Sequence, residues 1–263
     1  MKPSIPDTFP ARAAGERQET HRAAVATAAE APGRLSGLSP PGTRRAVRQV
    51  TLLGILVVVT ALLIPLISAK ELFDQQLLQR IETKYGKDAR LRLENLVTLV
   101  TVEARGKPED EKLQYVNNFF NQVPFIADII HWGKEDYWAT PVEKLATFGG
   151  DCEDYSIAKY FALKQLGVSE DKLRLTYVKA IRLNQAHMVL TYFPEPTAMP
   201  LVLDNLVPGI RPAVERRDLV PVYSFNGDGL WLAKARGSGK RVGSSTKLSL
   251  WTDLMTRMDN SSL

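Results

Sequence analysis

The chain has 263 residues and a net charge of +5, from 34 Lys and Arg against 29 Asp and Glu. Residues 1–69 contain eight of the basic and four of the acidic residues, which leaves 26 and 25 for the remainder. The basic excess therefore belongs to the N-terminal segment and does not indicate nucleic-acid binding, which would require a basic stripe on the folded domain. A single cysteine excludes an intramolecular disulfide and leaves the redox compartment open.

The N-terminal segment divides into two parts. Residues 1–43 are rich in Ala, Pro and Arg without apolar periodicity, which predicts a disordered leader or a start site assigned too far upstream. Residues 44–69 begin with three arginines, continue as an apolar run from Val50 and end at the small residue Ala69. This order is typical of a signal peptide. Because the run is also long enough to span a bilayer, an uncleaved membrane anchor is the alternative.

A helical region is predicted between residues 72 and 121. Apolar side chains recur there at helical spacing in three stretches, which Gly86 and the Gly106-Lys107-Pro108 segment divide. The stripes are Leu72, Phe73, Leu77, Leu78 and Ile81; Leu93, Leu96, Val97 and Val100; and Leu113, Val116, Phe119 and Phe120. We expect these stripes to form core rather than partner surfaces.

The only cysteine lies in the segment Phe148-Gly149-Gly150-Asp151-Cys152-Glu153-Asp154-Tyr155. The glycine pair is expected to end one element, and the periodic run 156–166 predicts a helix that stops at Gly167. Cys152 would then lie in the first turn, where the helix dipole favours the nucleophilic thiolate. Glycines and carboxylates seldom fill a hydrophobic core, so the two glycines and three carboxylates around Cys152 favour a reactive thiol over a buried structural one.

A base for this thiol can be sought among three histidines. His21 lies in the leader and His131 follows an apolar stretch, whereas His187 lies in a strand-like run at residues 186–193. A second strand is predicted at residues 201–206. A hairpin centred between Glu195 and Pro196 would place His187 directly opposite Asp204, with Cβ atoms about 5 Å apart. A slip of one residue would put the two side chains on opposite faces.

The remaining elements predict an α+β fold, with N-terminal helices and the cysteine-bearing helix packed on an antiparallel sheet. Further strands are expected at residues 174–180, 221–225 and 230–233, the last two joined by an Asn-Gly-Asp-Gly turn. We place the catalytic domain at residues 70–235. Residues 236–263 are predicted to form a Gly/Ser-rich linker, to Ser245, and a short C-terminal helix that packs on the same domain.

Several of these motifs together resemble a known family. The order of cysteine, histidine and aspartate on a helix and two strands resembles papain-like and transglutaminase-like cysteine enzymes. More narrowly, the segments 149–155, 186–189, 202–205 and 137–143 are similar to the bacterial transglutaminase-like cysteine proteinases. The resemblance covers about residues 71–235. It implies a papain-like or transglutaminase-like fold and a catalytic triad of Cys152, His187 and Asp204.

The resemblance also implies a biological role. Members of this family cleave the N-terminal region of a large cell-surface repeat adhesin near a di-alanine, which promotes biofilm dispersal. An inner-membrane receptor that senses cyclic-di-GMP inhibits them. We therefore expect a periplasmic endopeptidase of a Gram-negative bacterium, with the membrane-anchored form as the alternative location. A transglutaminase-like amidase or acyltransferase would use the same three residues and is the alternative function.

Carboxylates beside the thiol pose an electrostatic problem. Asp151, Glu153 and Asp154 each disfavour a thiolate on Cys152 and would raise its pKa. A bound hard cation would neutralise them, and oxygen ligands of this kind suit calcium. From the residues alone, capping of the helix N-terminus is the favoured alternative. The family resemblance instead implies a calcium cofactor, with Asp151 and Glu153 as ligands and Asp154 as a weaker candidate.

Overall fold

A computed structural model describes residues 72–232 and 239–260. The predicted leader at residues 1–43 and the predicted signal peptide at residues 44–69 lie outside these ranges. Within them, no helix combines the length and the apolar character that crossing a membrane requires.

The N-terminal region forms three helices, as predicted. They are α1 (Gln75–Tyr85), α2 (Lys87–Thr98), which continues as a π-helical turn over Leu99–Glu103, and α3 (Glu109–Phe120). The Asp74 carboxylate caps α1 by accepting a 2.5 Å hydrogen bond from the Leu77 N–H. Gly86, with a φ of 89°, separates α1 from α2. Buried members of the three predicted stripes include Leu77, Leu78, Ile81, Leu93, Leu96, Leu113, Val116 and Phe120.

Two short helices, which the sequence did not predict, precede the cysteine. They are α4 (Asp128–His131) and α5 (Pro141–Thr147). The start of α5 is fixed by reciprocal bonds, because the Thr140 hydroxyl accepts from the Glu143 N–H and the Glu143 carboxylate accepts from the Thr140 N–H. Both helices are too short to show an apolar period.

The helix α6 (Cys152–Gln165) begins at the cysteine, which confirms the predicted place of the thiol in its first turn. It contacts α3, α5 and two strands of the sheet. Tyr160, Ile157 and Leu163 are fully buried there, although the helix has charged residues in its first turn.

One antiparallel sheet contains seven strands in the order β4-β3-β2-β1-β5-β6-β7. The strands are β1 (Leu173–Ala180), β2 (Gln185–Tyr192), β3 (Leu201–Leu203), β4 (Arg211–Pro212), β5 (Leu219–Phe225), β6 (Leu230–Leu232) and β7 (Lys240–Gly243). Short 3₁₀ turns occur at Glu170–Lys172, Ala213–Glu215 and Ser245–Lys247. Helices followed by an antiparallel sheet confirm the α+β class.

The sequence predicted a linker over residues 236–245. This is wrong for Lys240–Gly243, because these residues form β7. Lys240–Gly243 pairs with β6 at the edge of the sheet, with Trp231 opposite Arg241. The side chains of Lys240, Arg241 and Val242 are exposed. Because neither face of this edge strand is buried, it lacks the alternation that would have distinguished it from a polar loop.

The register predicted for the β2–β3 hairpin is also wrong, by two residues. Leu190 faces Leu203 and Tyr192 faces Leu201, so the ladder does not place His187 opposite Asp204. Side chains alternate between faces with a period of two, so a two-residue shift leaves both residues on the same face of the sheet. The two side chains therefore still meet, along a diagonal.

A C-terminal helix, α7 (Ser249–Asn260), packs on the principal core. Trp251 and Leu254 are buried, and the Trp251 indole stacks on Phe161 of α6 with the ring centroids 6.0 Å apart. This helix therefore docks on its own domain, which is the interpretation that the sequence favoured.

Candidate active site

Side chains pack closely against the two glycines of the loop before Cys152. A Cβ atom at Gly149 would lie 2.6 Å from Cδ1 of Ile126, and one at Gly150 would lie 2.3 Å from Oδ2 of Asp154. The Ile126 N–H also donates to the Gly150 carbonyl over 3.0 Å. A side chain at Gly149 would have to displace Ile126 and the His131 ring, and one at Gly150 would have to displace the Asp154 carboxyl, so both glycines allow these side chains to pack against the loop before the thiol.

Helix α6 is joined to β2 at the level of the thiol. The Ser156 hydroxyl, one turn after Cys152, bonds to the Met188 carbonyl over 3.0 Å. A hydrogen bond from the Met188 backbone also acts on the Cys152 sulfur and favours its ionised form. Met188 follows His187 directly, so these contacts bring the cysteine and the histidine strand together.

His187 and Asp204 form a buried pair. Nε2 of His187 lies 2.8 Å from Oδ1 of Asp204, and each residue is only 2% exposed. The same Oδ1 accepts from the Leu206 N–H, while Oδ2 accepts from Nη2 of Arg216 over 2.7 Å. Burial alone would raise the pKa of Asp204, but these donors outweigh it and lower the pKa to about 2. The carboxylate is therefore ionised and fixed.

The cysteine thiol is protonated in this arrangement. Its Sγ donates to Oε2 of Glu153 over 3.0 Å. Burial raises the pKa of Cys152 well above its usual range, and the carboxyl groups of Glu153 and Asp151 raise it further. The acidic residues therefore oppose thiolate formation, as the sequence indicated.

Carboxylates from three segments converge beside the thiol. Asp151 and Glu153 flank Cys152, Asp128 begins α4 and Asp136 lies in the loop before α5. Possible ligand atoms of Asp128, Asp136 and Glu153 lie within 4.8 Å of one another, and Asp151 forms further groups of this kind with Glu153 and Asp128. We refer to Asp128, Asp136, Asp151 and Glu153 as the acidic cluster.

The acidic cluster has the properties of a cation site. Oδ1 of Asp128 and Oδ1 of Asp151 are buried without a hydrogen-bond partner among the described residues. Burial raises the pKa of Asp128 to about 6 and, together with contact to Asp151, raises that of Glu153 to about 10. Crowded carboxylates with unpaired oxygens suit a hard divalent cation, and calcium accepts such irregular oxygen ligands.

Asp154 has a different role from the acidic cluster. Its Oδ1 accepts from the Ala139 N–H over 2.7 Å and its Oδ2 from the Asp151 N–H over 3.3 Å. These bonds close the start of α6 and tie it to the segment before α5. Asp154 can form one group with Asp128 and Asp151, but both of its oxygens already accept backbone bonds. It therefore fits the capping interpretation best.

Comparison with known proteins identifies the family. A family model described as bacterial transglutaminase-like cysteine proteinase matches residues 97–217. The EGTA-treated form of Legionella pneumophila LapG is 44% identical, covers 70% of this chain and 96% of its own, and has a TM-score of 0.62. The calcium-bound form of the same protein is 46% identical, covers 69% and 97%, and has a TM-score of 0.60. The chain belongs to the bacterial transglutaminase-like cysteine proteinase family. A comparison with curated proteins gave no significant match.

Membership of the bacterial transglutaminase-like cysteine proteinases confirms two predictions. The family and its solved relatives establish the papain-like, transglutaminase-like α+β fold and the enzyme class, a cysteine peptidase. One of these LapG structures is calcium-bound.

Sequence reasoning missed three site residues of this proteinase. Asp128 and Asp136 reach the acidic cluster from segments without regular periodicity. The sequence marked them only as acidic residues that precede the segment 137–143. Arg216 is 5% exposed and bonds both Asp204 and Asp218. It follows a short 3₁₀ turn, and nothing in the sequence connected it to Asp204.

His131 is not part of the His187–Asp204 pair. Nε2 of His131 lies 2.8 Å from Oγ1 of Thr147, and its ring packs over Gly149. His131 therefore helps to fix the loop before the thiol. His21 lies outside the described residues.

Proposed function

We propose that this protein is a calcium-dependent cysteine endopeptidase with Cys152 as nucleophile, His187 as base and Asp204 as the residue that orients the base. The observation that carries this proposal is the buried 2.8 Å His187–Asp204 bond on the strand that meets the start of the cysteine-bearing helix. Family membership supports the same assignment.

The proposed chemistry follows from the bonding of each group. A carboxylate can only accept, so Nε2 of His187 carries the proton of the bond to Asp204 and Nδ1 keeps a lone pair for the thiol proton. Cys152 then attacks the peptide carbonyl, the amine leaves with a proton from His187, and water releases the acid. The N–H of Cys152 has no intrahelical acceptor and is available to bind the oxyanion.

Calcium is the cofactor that best fits the acidic cluster. The family resemblance implies Asp151 and Glu153 as ligands, and we add Asp128 and Asp136 to the proposed set. The bound cation would neutralise the carboxylates that disfavour the thiolate. The calcium-bound LapG relative supports this choice of ion.

We further propose the substrate and setting that the family likeness suggests. The substrate is the N-terminal region of a large repeat adhesin, cut near a di-alanine so that the adhesin is released and the biofilm disperses. An inner-membrane cyclic-di-GMP receptor would act as the inhibitor. Export to the periplasm would depend on residues 44–69. Likeness to LapG over 96% of that chain supports these assignments.

The test is cleavage of a recombinant adhesin N-terminal region by the purified protein with calcium, compared with Cys152→Ala. Parent protein should give two products whose new termini lie near a di-alanine, and the variant should give none. Retained cleavage by Cys152→Ala would contradict the proposal. Adding a primary amine tests the alternative, because incorporation of the amine instead of hydrolysis would identify an acyltransferase.

A further inference from the structure

One arginine of the C-terminal helix α7 bonds the segment that leads to α5. Nη1 of Arg257 lies 2.6 Å from Oε2 of Glu143, and its Nη2 donates to the Trp138 carbonyl over 2.5 Å. The guanidinium also lies over the Tyr137 ring, 4.5 Å from the ring centroid. These contacts converge on the short segment 137–143. Arg257 has no part in the mechanism proposed above.

The combination of contacts at Arg257 suits arginine in particular. A single ion pair at a partly exposed position contributes little to stability, and the side chains of Arg257 and Glu143 are 23% and 30% exposed. A planar guanidinium, however, can bond a carboxylate and a carbonyl while it stacks on an aromatic ring, which a lysine ammonium cannot do. The Nε of Arg257 also donates to Oδ2 of Asp253 on its own helix over 2.9 Å. The guanidinium is therefore held from both sides.

The segment that Arg257 bonds also donates to two carboxylates of the site. The Tyr137 N–H donates to Oδ2 of Asp128 over 2.5 Å, and the Ala139 N–H donates to Oδ1 of Asp154 over 2.7 Å. Asp128 belongs to the acidic cluster, and Asp154 closes the start of α6. The carbonyl that Arg257 bonds belongs to the residue between these two donors.

Glu143 strengthens the link between α7 and this segment. Its Oε1 accepts from the Tyr137 hydroxyl over 2.8 Å, and its Oε2 accepts from the Thr140 N–H as well as from Arg257. Asp136, another member of the acidic cluster, directly precedes Tyr137 in the chain. A shift of this segment would therefore move both a member of the acidic cluster and a donor to it.

We propose that Arg257 is a positioning residue: it fixes residues 136–139 so that their backbone N–H groups hold Asp128 in the acidic cluster and Asp154 at the start of the cysteine-bearing helix. The C-terminal helix thereby helps to set the geometry of the cation site. This inference rests on the proposed function, because the acidic cluster is the proposed calcium site. Arg257 lies beyond residues 97–217, which the family model matches, so the match does not assign it this role.

The positioning effect can be measured without calcium and without cleavage. Amide hydrogen exchange of the ¹⁵N-labelled protein in EGTA, followed by NMR, reports the Tyr137 and Ala139 N–H groups. In Arg257→Met both should exchange about tenfold faster than in the parent, because the segment that carries them opens more easily. Amides of the central strand β1 serve as the internal control and should exchange at nearly the parent's rate.

Calcium binding provides the second measurement. Isothermal titration should show an affinity about tenfold lower in Arg257→Met than in the parent, because the support of the ligand Asp128 is lost. Arg90→Met is the matched control. Arg90 is similarly exposed and bonds two carboxylates, but these belong to Glu82 and Glu94 on α1 and α2. Arg90→Met should therefore bind calcium like the parent.

The results separate a positioning role from general stabilisation. Unchanged exchange at Tyr137 and Ala139 in Arg257→Met would overturn the proposal, and so would an equal acceleration that includes β1. If Arg257→Met does not fold, Arg257→Lys takes its place, because it keeps the charge but cannot bond both acceptors and stack. It should still show faster exchange at the same two amides. If the parent binds no calcium, the proposed function fails, while the exchange rates still decide the role of Arg257.

Discussion

Nε2 of His187 lies 2.8 Å from Oδ1 of Asp204, although the two residues are not opposite each other in the β2–β3 ladder. Asp204 follows the last paired residue of β3, and its other bonds come from Leu206 and Arg216. Because Asp204 lies just beyond a short strand, its carboxylate can bond His187 along a diagonal of the ladder. The hydrogen bonds from Leu206 and Arg216 then fix the orientation of the carboxylate. The pair is therefore determined by local bonds as much as by the sheet.

Asp204→Asn should lower kcat about 10³-fold with little change in KM. The amide cannot hold the imidazole in the same protonation state, so the base is misoriented although the substrate still binds. Steady-state kinetics on the adhesin N-terminal region would measure both constants. Asp218→Asn is the matched control, because Asp218 bonds the same arginine but not His187. A kcat close to that of the parent in Asp204→Asn would contradict the assigned role.

The two described histidines should respond differently to substitution. His187→Ala should abolish cleavage, because no other described histidine bonds a buried carboxylate. His131→Ala should keep most activity and lose about 1 kcal/mol of stability with its bond to Thr147. Cleavage assays and thermal melts of both variants test this. Inactivity of His131→Ala with an active His187→Ala would mean that the base is wrongly assigned.

Some features of the site around Cys152 could be predicted from the sequence alone. The place of Cys152 at a helix start could be predicted, because glycine punctuation and apolar period are local signals. That His187 and Asp204 share a face could also be predicted, since only the parity of the register matters. The register itself depended on the conformation of the loop over residues 193–200, which sequence does not determine.

Residues that reach the site from irregular segments could not be predicted in the same way. Asp128 and Asp136 meet Glu153 because separate loops fold together, and no period or spacing in the sequence records that meeting. Arg216 reaches Asp204 after a two-residue strand and a short 3₁₀ turn. The edge strand at Lys240–Gly243 was missed because its stability comes from pairing with β6 rather than from a buried face.

Chelation should stop cleavage by the purified protein. EGTA would remove the cation from the acidic cluster, so its positive charge would no longer favour the thiolate of Cys152. Calcium should restore activity better than magnesium, which requires a stricter geometry. Because the chain has one cysteine, the rate of alkylation by iodoacetamide at neutral pH reports this thiol alone and should fall on chelation. Full activity after exhaustive chelation would show that the acidic residues serve only to stabilise the helix start.

Asp128→Asn and Asp136→Asn should weaken calcium binding about tenfold or more, as should Asp151→Asn and Glu153→Gln. Each substitution removes one charged ligand from the acidic cluster. Isothermal titration with calcium measures the affinity directly. Glu135→Gln is the matched control, because it removes an exposed charge next to Asp136. Affinity as high as the parent's in Asp128→Asn would exclude that residue from the ligand set.

Without calcium, the protein should lose stability as the pH rises from 5 to 8. The pKa of Glu153 is raised to about 10 and that of Asp128 to about 6, mainly by burial. A carboxyl group whose pKa is raised in the folded state stabilises the fold below its unfolded pKa, and this contribution is lost as the pH rises through the folded value. Thermal melts in EGTA should therefore fall by about 4 °C or more over this range.

Calcium should flatten this dependence, because the bound cation favours the ionised carboxylates. Glu153→Gln in EGTA should also flatten it, because a neutral amide needs no proton to be buried, whereas Glu135→Gln should keep the slope of the parent. A melting temperature in EGTA that is constant or rises between pH 5 and pH 8 would show that the acidic cluster is ionised and stable without a cation. Repulsion of the Cys152 thiolate by an ionised Glu153 would then account for slow alkylation in EGTA.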